Sequence, residues 1–110
     1  MSGALLTDLE LMILLAVLRM GEHAYGVTVT REIEHTGGRN VAIAVVYATL
    51  ERLQDRGLVT HSYGDPTPAR GGRAKKFFQV TAKGIRQIKD TQRALMALWR
   101  GLPELKGRAT

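Results

Sequence analysis

Residues 58–80 carry a change of pattern that few folds accommodate. Two short runs rich in β-formers, LVTHSY and KFFQV, are joined by DPTPARGGRAKK, a connection holding two prolines, two glycines and four cations. This reads as a β-hairpin with a long basic loop. Everything on either side has helical spacing. Thr7 followed by Glu10 forms a capping box, so a first helix starts near residue 8, runs through LELMILLAVLRM and stops at Gly21, which suits the left-handed conformation of a C-terminal cap. A second helix spans YGVTVTREIEH, with Val27, Val29 and Ile33 inward and Arg31, Glu32 and Glu34 outward, and TGGRN breaks it. A third, VAIAVVYATLERLQDRG, places Ile43, Val46, Tyr47, Leu50 and Leu53 at helical spacing toward the core and closes at Gly57. After the hairpin, Thr81 caps a last helix, AKGIRQIKDTQRALMALWRGL, and Pro103 and Gly107 mark a frayed end.

Three helices, a hairpin and a long helix is the order of a winged helix-turn-helix, with the basic loop as its wing. The expected fold class is therefore mainly α with a small β-hairpin. The expected division is a winged helix-turn-helix unit over residues 1–81, a dimerisation helix over 82–103 and a flexible tail over 104–110. A chain of 110 residues holds one core and not two.

The charge is lopsided. Residues 1–69 carry five arginines and no lysine against eight carboxylates, whereas residues 70–110 carry eleven cations against Asp90 and Glu104. Such a basic half suits a polyanion, double-stranded DNA above all; an anionic membrane surface and a merely solubilising charge are the alternatives. The longest apolar run, LMILLAVL, falls well short of the roughly 20 residues that cross a bilayer, and no basic segment precedes it as in a signal peptide, so the chain is expected to be neither exported nor embedded in a membrane. Absence of cysteine removes disulfides, thiolate metal sites and a cysteine nucleophile, and fits a reducing, cytoplasmic setting.

In a winged helix-turn-helix the third helix enters the major groove by its outer face. With the inward set above, that face carries Ala44, Val45, Ala48, Thr49, Arg52 and Arg56. Small side chains let the backbone approach base edges, Val45 and the alanine methyls suit thymine methyls, Thr49 suits a base or phosphate, and Arg52 suits guanine or the backbone. The competing reading packs this bare face on a neighbouring helix. In the wing, Pro66 and Pro68 stiffen the approach, Gly71 and Gly72 let main-chain amides near phosphate, and Arg70, Arg73, Lys75 and Lys76 neutralise charge. The competing reading there is a solvated tip.

The last helix places Ile85, Ile88, Gln92, Leu95, Trp99 and Leu102 at alternating spacings of three and four, a coiled-coil seam with Gln92 as its polar interruption. The first helix is apolar nearly all round, with Leu11, Leu14 and Leu15 among its surplus, and so needs cover on more than one side. One helix against the other in a second subunit covers both, and a homodimer follows. Trp99 on the seam either fills the dimer core or stacks on a flat aromatic effector. Catalysis has no candidate set: His23, His35 and His61 show neither ligand spacing nor a nucleophile constellation, and no metal, cofactor or nucleotide motif is present. The alternative to a DNA-binding regulator is a winged-helix protein-interaction module that uses the bare third helix for docking.

Three blocks, LTDLELMILLAVLRMGEHAYGVTVTREIE, VVYATLERLQDRGLV and GGRAKKFFQVTAKG, together cover most of residues 5–90 and resemble the PadR family of bacterial transcriptional regulators. The resemblance implies a repressor dimerised through its first and last helices, bound to an inverted-repeat operator and released by a small aromatic molecule. The short C-terminal part resembles the compact subfamily with a single dimerisation helix. Tyr25 and Tyr47 stand where the family has tyrosines, which makes them candidate phosphate contacts. Ala42, Ala44 and Val45 depart from the Ser, Gly and Thr frequent in relatives; this removes a cap and hydroxyl donors and leaves Asn40 as the alternative cap. Ala48 replaces a proline and extends the helix.

Overall fold

A computed structural model describes residues 5–64 and 74–106. The helix α1 spans Asp8–Met20, α2 Gly26–His35, α3 Ile43–Asp55 and α4 Ala82–Trp99, and an antiparallel hairpin, β1 Val59–Tyr63 and β2 Lys76–Val80, lies between α3 and α4. Mainly α with one small hairpin is thus the observed class.

Local chemistry sets most of the boundaries. The Thr7 hydroxyl accepts from the Glu10 amide at 3.2 Å while the Glu10 carboxylate accepts from the Thr7 amide at 2.9 Å, closing the expected capping box. At the other end of α1, Gly21 has φ 57°. Gly57, at φ 78°, turns the chain from α3 into β1. A side chain at either position would strain the backbone. The Thr81 hydroxyl accepts from the Gly84 amide at 3.0 Å and donates to the Gly57 carbonyl at 2.7 Å, so one residue caps α4 and ties it to the end of α3. Gly84 itself is buried where a Cβ would lie 2.3 Å from the Leu58 carbonyl oxygen, which lets α4 start flush against the α3–β1 junction.

The core gathers Ile13, Leu14 and Val17 of α1, Val29 and Ile33 of α2, Val46, Leu50 and Leu53 of α3, Leu58 and Val59 at the head of β1, and Phe78 in the middle of β2. Strand register pairs Val59 with Val80 and His61 with Phe78. The Phe78 amide donates to the Ala24 carbonyl at 2.8 Å, attaching β2 to the segment between α1 and α2. Arg19 and Glu32, 2.6 Å apart, link α1 to α2. The Thr36 hydroxyl, which donates to the same carboxylate, and then Arg19 hold Glu32 below the usual carboxylate range.

Four expectations need correction. Leu14, assigned to a subunit interface, is wholly buried in the chain's own core, while Leu15 and Leu18 of the same helix are exposed. Ile43 and Tyr47 are exposed and Thr49 is buried, so α3 is rotated by one residue row from the expected phase. Asn40 does not cap α3; Ala42 occupies that position with no side-chain bond, and the helix starts two residues later than expected. The last helix ends at Trp99 because Gly101 adopts φ 78° and Leu102, preceding Pro103, is extended, which takes Leu102 off the helical seam.

Candidate DNA-binding surface

Helix α3 buries Val46, Thr49, Leu50 and Leu53 and turns Ile43, Ala44, Val45, Tyr47, Ala48, Glu51 and Arg52 outward. The N-terminal half of this face is built of small or apolar side chains, and no side chain satisfies its first amides. Thr49 is 1% exposed; its hydroxyl donates to the Val45 carbonyl at 2.8 Å and accepts from Arg52 Nη2 at 3.2 Å. Back-bonding to the carbonyl four residues earlier satisfies the hydroxyl inside the helix, so this threonine can be buried and does not project toward a partner. Thr49 is therefore not placed to touch a base, contrary to the expectation from spacing.

The start of α2 connects α3 to the hairpin. Tyr47 lies against Gly26, where a Cβ would be 2.2 Å from Tyr47 Cζ, so glycine is what admits the ring. The neighbouring Tyr25 packs edge-on to Phe77 of β2 with ring centroids 5.5 Å apart. Lys75 Nζ lies 4.4 Å from the Tyr25 ring centroid and donates to its hydroxyl at 3.2 Å. Tyr47, against Gly26, and Lys75, against Tyr25, thus reach adjacent residues at the start of α2. Lys76 lies over Phe78, 5.5 Å from the ring centroid. Arg70, Gly71, Gly72 and Arg73, together with Pro66 and Pro68, lie outside the described residues.

The cations of this surface are left without carboxylate partners among the described residues. Among the described residues Arg19, Arg39, Arg56 and Arg93 each pair with a carboxylate. Arg52, Lys75 and Lys76 have no such pair among the described residues, which leaves positive charge on α3 and at the hairpin base. Arg56, expected on the same face, instead reaches back to Glu10 at 3.0 Å.

Residues 14–90 match the model of the transcriptional regulator PadR-like family. The chain belongs to that family. It is accordingly a DNA-binding transcriptional regulator and not an enzyme. Solved structures similar to this PadR-like chain include a transcriptional regulator from Clostridium thermocellum, at TM-score 0.68 and 19% identity over 81% of this chain and 83% of that one. A PadR-like regulator from Bacillus cereus gives 0.66 and 22% over 82% of each chain. One from Eggerthella lenta gives 0.66 and 21% over 91% of this chain and 88% of that one. At such identities the likeness is one of fold. No curated protein matches the sequence. Among the described residues no cluster of His, Asp and Glu could hold a metal ion, and no helix is long and apolar enough to cross a membrane.

The seam of the PadR-like α4 divides in two. Ile85 and Ile88 are half-buried, with Ile88 packed against the core, whereas Gln92, Leu95 and Trp99 are exposed. Met96, Leu98 and Leu105 join them at the surface, Leu98 being 76% exposed. Their spacing off the heptad row hid them from the sequence reading; the excess of apolar residues between 94 and 105 was the available signal. Leu11 is half-buried and Leu15 exposed, and Leu15 borders an apolar cleft between α1 and α2 of about 340 Å³, lined also by Met12, Leu18 and Ile33.

Proposed function

We propose that this PadR-like regulator is a cytoplasmic homodimeric repressor that binds an inverted-repeat operator and is released by a small aromatic effector. Residues 1–81 form its DNA-binding unit, the last helix, Ala82–Trp99, its dimerisation helix, and the residues beyond it its tail. The observation that carries the reading is the continuity, across the start of α2, between the bare outward face of α3 and the unneutralised lysines at the hairpin base. Ala44, Val45 and Ala48 would meet base edges at close range, Arg52 would reach guanine or phosphate, and Tyr47 and Tyr25 would offer hydroxyls to the backbone. The wing, with Arg70, Gly71, Gly72, Arg73, Lys75 and Lys76, would follow the phosphates.

Counterion release makes the wing assignment measurable. Each phosphate contact contributes roughly 0.9 to the slope of log affinity against log salt. Replacing both Lys75 and Lys76 by glutamine is expected to weaken binding to all duplexes alike and to lower that slope by up to about two per protomer, read by fluorescence anisotropy across a salt series. An unchanged slope would overturn the role of the wing.

The dimer reading rests on the distal half of α4, whose Leu95, Met96, Leu98 and Trp99 are exposed on one chain, and on the apolar cleft beside Leu15. A two-fold arrangement of α4 against α1 and α4 of a second copy would cover both and set two α3 helices about one DNA turn apart. Trp99, 53% exposed, would then flank a cleft between subunits in which a planar aromatic molecule could stack. It is the single tryptophan of the chain, so its fluorescence reports the site directly. Saturable quenching by planar aromatic compounds, with parallel loss of DNA affinity, is the expected result; quenching that leaves DNA binding untouched would remove the effector from the mechanism.

A further inference from the structure

We propose that Thr49 is a positioning residue that presets Arg52 for DNA recognition; this rests on the reading that Arg52 faces DNA. The three groups form one line on α3. The Thr49 hydroxyl spends its single proton on the Val45 carbonyl, 2.8 Å away, and its lone pair accepts Arg52 Nη2 at 3.2 Å. Because Thr49 is buried, its hydroxyl cannot swing to another rotamer without losing the carbonyl, so the acceptor it offers Arg52 is fixed. Arg52 has no carboxylate partner among the described residues although Glu51 and Asp55 stand on the same helix. The hydroxyl therefore orients the guanidinium without neutralising it and leaves its remaining N–H donors for an acceptor outside the chain.

An acidic partner would orient the side chain equally well and cancel the charge that DNA requires. A neutral acceptor keeps both, and an arginine ordered before contact loses less freedom on binding than one that must be ordered by it. The threonine is satisfied by Val45 alone, so the bond to Arg52 is not needed to bury it.

The test uses the duplex that the wild-type protein enriches from a randomised library, with a scrambled duplex beside it, and measures anisotropy at one salt concentration for T49V, T49S, R52A and T49V/R52A. Valine keeps the shape and removes the hydroxyl. T49V should weaken the enriched duplex about tenfold and the scrambled one much less, T49S should restore most of the loss, and T49V should add little once Arg52 is absent. Thermal melting follows each variant, and T49A carries the same comparison should T49V melt early. Equal losses from T49V with and without Arg52, or a T49S as damaged as T49V, would make Thr49 a merely structural residue and overturn the proposal while leaving Arg52 as a DNA contact. An R52A protein that binds the enriched duplex like wild type would overturn the Arg52 reading and the positioning role with it.

Discussion

Replacement of Phe78 by alanine is expected to cost about 3–5 kcal/mol of stability, as large aromatic truncations in packed cores do. The ring is 1% exposed, sits at the centre of β2, and belongs to the same apolar cluster as Ile13 and Leu14 of α1 and Leu50 and Leu53 of α3. Its own amide is bonded to the Ala24 carbonyl, so β2 is held to the helices by both its backbone and its side chain. Against a typical total of about 5–15 kcal/mol, such a loss removes a large part of the folding free energy. For a domain of this size it should lower the melting temperature by more than about 10 °C, as followed by circular dichroism. Phe77→Ala, which removes a half-buried ring packed on Tyr25, should cost clearly less. If Phe78→Ala melts within a few degrees of wild type, the hairpin is an appendage instead of a member of the core, and a wing held in register with α3 loses its physical basis.

Leu95→Glu should have the largest effect on DNA binding of any single surface change. Leu95 is 48% exposed in the chain, so the substitution buries no charge in the isolated subunit and should leave its fold intact. In the proposed dimer the same position lies on the seam, where two carboxylates would be brought together and desolvated. The expected outcome is a folded monomer by light scattering. Operator affinity should fall by about 10²-fold or more, since the second half-site is no longer engaged intramolecularly. A variant that stays dimeric and binds as tightly as wild type would place the subunit contact elsewhere, and the exposed row on α4 would need another partner.

Element order was legible because each signal is local. A threonine followed by glutamate three residues later, glycines where the chain must turn, and β-formers on either side of a basic loop act through bonds between neighbours. The cap on Thr81 and the strand ends near Tyr63 and Lys76 accordingly lie where the residues indicate. The resemblance to PadR regulators drew on the same residues and agrees with the family match.

What stayed hidden was phase. Helical spacing shows that residues 43, 46, 47, 50 and 53 share one broad side of a helix, but the direction of the core within that side depends on what packs there. Leu58, Val59 and Phe78 draw Val46, Leu50 and Leu53 inward, and the carbonyl of Val45 admits Thr49 among them. Ile43 and Tyr47 are left at the surface, Tyr47 against a glycine of another helix. The same reasoning holds for Leu14 and Leu15: both read as apolar surplus, and contact with α2 and α3 takes one into the core and leaves the other outside. Local hydrogen bonding is written in short windows of residues. Which face of a helix meets the core is a property of neighbours that the chain brings together only when it folds.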